Sequence, residues 1–226
     1  MITDGAGLIG RTAEFDRLAA LLDTATAQRR GGGAAISGEP GIGKTALVGA
    51  VTAHAGRSGW AVLQGRGHDL ESRLDYGPLA AALSGYLHRL PPERRAGYCT
   101  GLDSLGALVE GIGAPERADG HPGGPDPSRS RLFQSVALLL GRITADAPVL
   151  LVVDDLHWAD PASVDVLNYL RADVDALGVV LLVALRAPVE AARTDVRRLV
   201  AELARLPLHA SVPVRRLGTG QVAELA

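Results

Sequence analysis

The sequence is poor in the residues that mark secreted, metal-binding and membrane proteins. It has one cysteine, Cys99, which excludes an internal disulfide framework, and no Cys/His cluster has the spacing of zinc ligands. The longest apolar run, VVLLVAL at 179–185, is far shorter than the roughly 20 residues that cross a bilayer. The first residues, MITDGAG, lack the basic and then apolar layout of a signal peptide. We therefore expect a soluble, cytoplasmic chain.

Low net charge and a shortage of aromatic side chains further limit the expected binding partners and the expected fold class. A formal net charge of −2 gives no overall attraction to nucleic acid or to an anionic membrane, so we expect neither partner for this segment. Hydrophobic residues are 47% of the chain but aromatic residues only 4%, so the core must consist mainly of Ala, Val, Leu and Ile. This composition suits one α/β domain spanning residues 1–226.

Short apolar runs alternate with helical patterns along the chain. Five runs have the length and composition of strands: AAIS (34–37), WAVLQG (60–65), PVLLVVD (148–154), VVLLVAL (179–185) and SVPVRRL (211–217). Such alternation predicts an α/β fold, with a five-stranded parallel sheet sandwiched by helices. The third and fourth runs are apolar throughout, as strands covered on both faces should be, so we expect them at the centre of the sheet.

Helical periodicity fills the intervals between these runs. The apolar face of a predicted helix before the first strand carries Phe15, Leu18, Leu21 and Leu22. We expect GGG at 31–33 to be a flexible segment that follows this helix. After the third strand, Asp160 and Pro161 predict the N-cap and first position of a helix, and 194–206 predicts another. Residues 79–143 show helical patterns only, interrupted by a polar, Pro- and Gly-rich stretch at 113–130 that we expect to be a mobile surface loop.

Lysine is almost absent, and its one position is informative. Lys44 is the only lysine beside 22 arginines. It lies in GEPGIGKT (38–45), which matches G-x-x-x-x-G-K-[ST] between a predicted strand and a predicted helix, the setting of a P-loop. A compact ammonium can reach the β- and γ-phosphates of ATP, and the Thr45 hydroxyl can bind Mg²⁺. The predicted nucleotide-binding segment comprises Gly38, Glu39, Pro40, Gly41, Ile42, Gly43, Lys44, Thr45 and Ala46.

The third predicted strand ends in two acids, Asp154 and Asp155, within PVLLVVDDLHWAD (148–160). The carboxyl edge of an open α/β sheet is where ligands bind, so we expect Asp154 to hold Mg²⁺ through water, opposite Thr45. Asp155 would lie nearer the γ-phosphate and orient or deprotonate the attacking water. Alternatively, Asp155 caps a turn or pairs with an arginine. His157 and Trp158 contact nucleotide or a neighbouring domain, or simply pack the loop.

Four segments together carry a family resemblance: LIGRTAEFDRLAALL (8–22), GEPGIGKT, VLLVVDDLHWAD (149–160) and VVLLVALR (179–186). They resemble the AAA-like core of signal-transduction ATPases with numerous domains, and are most similar to large ATP-binding LuxR-type transcriptional regulators. The resemblance implies that residues 1–33 lie on the adenine side of the site. It places Leu8, Ile9, Gly10 and Arg11 beside the adenine.

The same resemblance gives Arg186 a role as a sensor of the γ-phosphate, and makes Glu14 structural. For Arg186 the alternative is an ordinary exposed residue where a strand ends. For Arg11 the alternative is an ion pair with Glu14 at the start of a helix. Relatives of this kind continue into a helical lid and DNA-binding parts, whereas this sequence ends where the lid is expected to begin, so we expect a core without its lid.

Two functions fit these observations. In the first, the chain is a weak ATPase in which Lys44, Asp155 and Arg186 are catalytic. In the second, it is a nucleotide-dependent switch that acts on other domains or proteins of a regulatory assembly, with little hydrolysis. A small-molecule kinase is disfavoured, because the paired acids follow a separate strand and no basic cluster for an acceptor follows the P-loop.

Overall fold

Strands and helices alternate through the described part of the chain. The computed structural model describes residues 10–68, 75–112 and 127–216. The elements are α1 (Thr12–Gln28), β1 (Gly32–Gly38), α2 (Lys44–Arg57), β2 (Ala61–Arg66), α3 (Gly77–Leu87), α4 (Pro92–Cys99), α5 (Pro127–Thr144), β3 (Val149–Asp154), α6 (Pro161–Arg171), α7 (Val174–Leu177), β4 (Val179–Arg186), α8 (Thr194–Leu203) and β5 (His209–Val214). Short 3₁₀ turns occupy Asp103–Ala107, Leu156–Trp158 and Val189–Ala191. None of the described helices is long and apolar enough to cross a membrane.

The five strands form one parallel sheet in the order β2-β3-β4-β1-β5. This confirms the predicted α/β fold, and both apolar strands, β3 and β4, are interior. β1 is interior as well, between β4 and β5. Because the strands are parallel, the loops that follow β1, β3 and β4 all emerge at one edge of the sheet, its carboxyl edge.

Two apolar layers cover the two faces of the sheet. Alternate residues of each strand point to opposite faces, so Leu150 belongs to the apolar layer covered by α1 and α2, while Leu151 belongs to the layer covered by α3, α5, α6 and α8. The prediction for α1 is confirmed: Leu18, Leu21 and Leu22 are buried, and Phe15 is half-buried. Both faces of the sheet are therefore covered by helices, so a binding site is expected where the strands end and their loops begin.

The glycine triplet at 31–33 corrects the expectation of a flexible exit. Gly32 and Gly33 are the first residues of β1, which begins two residues before the predicted strand. A Cβ on Gly31 would lie 1.9 Å from the carbonyl oxygen of Val174, and one on Gly32 would lie 2.5 Å from that of Leu208. Glycine is needed here because neighbouring backbone approaches too closely for any side chain.

Several other predicted boundaries shift by a few residues. α5 begins at Pro127, so residues 127–130 are helical rather than part of a loop, and residues 113–126 lie outside the described residues. α8 ends at Leu203 instead of residue 206, and the helical region begins at Gly77 rather than at residue 79. β5 begins at His209 and ends at Val214, because its register follows β1 from Gly33 to Gly38.

Candidate functional site

The loop between β1 and α2 has the backbone that the P-loop motif requires. β1 ends at Gly38 and α2 begins at Lys44. Gly41 and Gly43 have φ values of 73° and 98°, in the left-handed region that favours glycine. A Cβ on Gly38 would lie 2.8 Å from the carbonyl oxygen of Val214. The three glycines therefore give the loop a tight turn that ends at the amino terminus of a 14-residue helix, where anions bind favourably.

The Lys44 ammonium is folded onto its own loop. Its Nζ donates hydrogen bonds to the carbonyl oxygens of Gly38 and Glu39, both at 2.9 Å, and the residue is buried. Burial lowers the pKa of Lys44; the carboxylates of Asp155 and Asp154 oppose this shift, and the charge of Arg186 adds to it. The ammonium thus has two carbonyl partners within its own loop, at the start of α2.

Thr45 and Asp154 meet directly. The Thr45 hydroxyl donates to Asp154 Oδ2 at 2.8 Å, and the backbone N–H of Asp155 donates to Asp154 Oδ1 at 2.9 Å. Asp154 is only 1% exposed. Mg²⁺ commonly binds one or two protein oxygens and fills its other positions with water and phosphate oxygens, so this hydroxyl–carboxylate pair fits it. Among the described residues, no group of three or more His, Cys, Asp or Glu side chains could hold a metal ion.

Asp155 pairs with an arginine, which is one of the alternatives open from the sequence. Its Oδ2 accepts hydrogen bonds from Nε and Nη2 of Arg66, at 2.9 and 2.7 Å, and its backbone is left-handed with φ 51°. This hydrogen bond and the charge of Asp155 raise the pKa of Arg66. Sequence reasoning missed Arg66. The signal in the sequence was its position directly after the second predicted strand. In the structure β2 lies beside β3, and Arg66 is in register with Asp154.

Arg186 is exposed and lies against Trp158. Its Cζ is 5.2 Å from the centroid of the indole ring, and the rings of Trp158 and His157 are 5.2 Å apart. Both ring nitrogens of His157 are buried and have no hydrogen-bond partner. Burial lowers the pKa of His157, and the charges of Arg186 and Lys44 lower it further against Asp155 and Asp154. His157 is therefore expected to be neutral near pH 7.

Arg11 supports the P-loop from behind. Nη1 donates to Glu14 Oε1 and Nη2 donates to the carbonyl oxygen of Ile42, both at 3.1 Å. The predicted alternative for Arg11, an ion pair with Glu14, is thus present, and the same buried guanidinium also holds the loop. Gly10 has φ 69°, whereas Leu8 and Ile9 lie outside the described residues.

The family described as AAA ATPase domain matches residues 7–183, which is more than half of the sequence. The chain belongs to the AAA ATPase domain family. No curated protein matches the sequence of this AAA ATPase domain significantly.

Solved structures share the fold of this AAA ATPase domain at low sequence identity. The ORC1 protein of Aeropyrum pernix in complex with DNA has a TM-score of 0.52 and 19% identity, over 95% of this chain and 47% of that one. AMPPCP-bound DnaA from Aquifex aeolicus has a TM-score of 0.52 and 12% identity, over 96% of this chain and 49% of that one. Drosophila ORC bound to DNA has a TM-score of 0.54 and 14% identity, over 96% of this chain and 45% of that one. This AAA ATPase domain spans about half the length of these solved chains.

Those predicted site residues of the AAA ATPase domain that the structure describes meet at the carboxyl edge of the sheet. The P-loop follows β1, Asp154 and Arg186 are the last residues of β3 and β4, and Asp155 comes next after β3. Arg11, just before α1, contacts the loop. A cavity of about 520 Å³ lies instead at the amino edge, between the ends of α1 and α5, and contains none of the predicted residues. The chemistry therefore concentrates around the P-loop, and family and loop geometry together support an ATP-binding P-loop module.

Proposed function

We propose that the chain binds ATP with Mg²⁺ and hydrolyses it slowly, as the nucleotide-binding part of a signalling or transcriptional regulator. The observation that carries this proposal is the meeting of Lys44 and the Thr45–Asp154 pair at the start of α2. The role in a regulator of the LuxR type rests on the sequence resemblance. Its partners would be other domains or proteins of a regulatory assembly.

Binding uses groups of the loop that already point to one place. Backbone N–H groups of residues 41–46, at the amino terminus of α2, would hold the β- and γ-phosphates. Lys44 would exchange two carbonyl oxygens for phosphate oxygens. Thr45 and Asp154 would hold Mg²⁺, which neutralises phosphate charge when bound. Leu8, Ile9, Gly10 and Arg11 would lie beside the adenine.

Hydrolysis assigns separate roles to Asp155 and Arg186. Asp155 would orient a water molecule and accept its proton as the water oxygen bonds to the γ-phosphorus and the bond to ADP breaks. Arg186 would contact the oxygens of the γ-phosphate. Slow turnover is expected because Asp155 is engaged by Arg66, so one carboxylate oxygen is already occupied by two N–H donors.

The Arg66–Asp155 pair also favours the second function, a switch with little hydrolysis. In that case ATP and ADP would hold the surrounding loops in different positions, and the partners would respond to those positions. The two functions differ in one measurable quantity, the release of phosphate in a single turnover. If the purified protein binds Mg-ATP and releases no phosphate, the ATPase function is ruled out and the switch function remains.

Binding is tested with Lys44→Ala. We expect this variant to bind Mg-ATP more weakly than the parent by about 1.5–3 kcal/mol, the range for a charge-assisted hydrogen bond, or roughly 10- to 150-fold in the dissociation constant. Because Lys44 would give up two carbonyl hydrogen bonds when it binds phosphate, we expect a value near the lower end of this range. Isothermal calorimetry measures both proteins. Equal affinities would rule out the P-loop assignment.

Catalysis is tested with Asp155→Asn. An amide has nearly the shape of a carboxylate but is not a base, so this variant should bind Mg-ATP like the parent and release phosphate more slowly. Calorimetry and single-turnover phosphate release provide the two measurements. A variant that loses binding as much as turnover would show that Asp155 has a structural or metal-binding role instead.

A further inference from the structure

The guanidinium of Arg186 is held by an aromatic ring and not by an anion. Its Cζ lies 5.2 Å from the ring centroid of Trp158. Within residues 10–68, 75–112 and 127–216, the Arg186 side chain forms no ion pair and no hydrogen bond, whereas Arg66 and Arg11 each have a carboxylate. A cation over an indole face is attracted without being neutralised. All five N–H donors of Arg186 are therefore available to a ligand.

The backbone of Arg186 is fixed to the phosphate-binding loop. Arg186 is the last residue of β4 and is in register with Gly38, where the P-loop begins. The next residue, Ala187, donates its N–H to the carbonyl oxygen of Gly38 at 3.0 Å, and the same oxygen accepts a hydrogen bond from Lys44. The charge of Arg186 is also close enough to lower the pKa of Lys44, so an anion bound beside the P-loop would be attracted by both cations.

The indole that holds Arg186 is itself well anchored. Trp158 closes the 3₁₀ turn after β3 and donates its backbone N–H to the carbonyl oxygen of Asp155 at 2.8 Å. A Cβ on Gly67 would lie 3.0 Å from the carbonyl carbon of Trp158, so the turn packs tightly against the chain after β2. The imidazole of His157, kept neutral by burial, adds no competing positive charge next to the ring. Trp158 can therefore act as a fixed support.

We propose that Trp158 is a positioning residue, which sets the place where Arg186 meets the terminal phosphate and thereby lets the site distinguish ATP from ADP. This inference rests on the proposed function, because it takes ATP as the ligand. ADP has no γ-phosphate, so only ATP binding gains from a correctly placed Arg186. Without the indole, the long arginine side chain would have to be ordered on binding, at a cost in affinity for ATP alone.

The experiment compares Trp158→Leu with Trp158→Phe. Dissociation constants for Mg-ATP and Mg-ADP are measured by calorimetry for both variants, for Arg186→Gln and for the double variant Trp158→Leu/Arg186→Gln. We expect Trp158→Leu to lower the preference for ATP roughly two- to fivefold, from the usual strength of a cation–π contact, and to leave ADP affinity unchanged. Trp158→Phe retains an aromatic face and should keep most of the preference. In the Arg186→Gln background, Trp158→Leu should have no further effect.

Three results would overturn the inference. Equal weakening of ATP and ADP by Trp158→Leu would give the indole a structural role. An unchanged preference for ATP would give it no role, and an effect that persists in the Arg186→Gln background would separate it from Arg186. In each case intact ATP binding by the parent leaves the proposed function standing. Failure of the parent to bind Mg-ATP would remove the proposed function and this inference with it.

Tryptophan fluorescence provides a second measurement. A purely structural role of Trp158 predicts no difference in emission between Mg-ATP and Mg-ADP. The sequence has two tryptophans, so Trp60→Phe leaves Trp158 as the single reporter. Emission in this background should change with Mg-ATP but not with Mg-ADP, because only ATP has a γ-phosphate that contacts the guanidinium lying on the ring. Arg186→Gln should abolish that difference. Identical emission changes with both nucleotides would contradict the inference.

Discussion

The hydrogen bond between Thr45 and Asp154 should stabilise the protein even without nucleotide. Thr45→Val keeps the shape and the β-branching of the side chain but removes the hydroxyl that donates to Asp154 Oδ2 at 2.8 Å. Asp154 is 1% exposed, and although Thr45 itself is exposed, water can replace this donor only in part. A buried polar group that loses its partner costs about 1–3 kcal/mol. We therefore expect the free energy of unfolding to fall by about that amount.

For a domain of this length, 1 kcal/mol corresponds to about 2–4 °C in Tm, so the expected decrease is about 2–12 °C. Urea unfolding of the nucleotide-free protein gives the free energy, and a thermal scan gives Tm. Thr45→Ser is the matched control, because it keeps the hydroxyl and should lose much less stability than Thr45→Val. If Thr45→Val is as stable as the parent, the Asp154 carboxylate does not depend on this donor, and the reasoning is refuted.

Three other predictions concern packing, capping and ionisation. Gly31→Ala should destabilise the protein by at least about 1–3 kcal/mol in urea, because its Cβ meets two backbone carbonyl oxygens, whereas Gly49→Ala, in an exposed part of α2 with free space, should stabilise it by about 0.5–1 kcal/mol. Asp160→Ala should lower the free energy of unfolding by about 2–4 kcal/mol, because this buried carboxylate caps α6 and also accepts a hydrogen bond from the backbone N–H of Tyr76, just before α3. Asp160→Asn should cost less. Burial and the hydrogen bond to Asp146 raise the pKa of Tyr98 to about 12, so its contribution to stability is complete below pH 10 and lost as the pH rises to about 12. Over that interval Tyr98→Phe should lose less stability than the parent, and an equal loss would contradict the assignment.

Much of the site could be predicted from the sequence because its chemistry is concentrated in short segments. The P-loop is contiguous, and its glycines and Lys44 have roles that local backbone geometry determines. Asp154 is the last residue of a strand that is buried throughout, so its place at the carboxyl edge follows from the fold class. The cap formed by Asp160 is also local. In each case the decisive neighbours are close in sequence or belong to one motif.

The remainder depends on which segments become neighbours in space. Arg66 and Asp155 are 89 residues apart and meet only because β2 lies beside β3. Periodicity does not report strand order, so the sequence left the partner of Asp155 open. The glycine triplet was misread for a similar reason: its flexibility is a local property, whereas the backbone of Val174 and Leu208 that excludes a side chain comes from distant parts of the chain.

The near-absence of lysine gives this molecule an unusual chemical reactivity. Its side chains offer one primary amine, that of Lys44, which is 6% exposed and covered by two carbonyl oxygens. An acylating reagent that labels most proteins at scattered surface amines would find a single side-chain target here, at the centre of the phosphate-binding loop. The rate of labelling would report how often that loop opens, and any cellular acylation of a lysine side chain in this sequence would strike the loop directly.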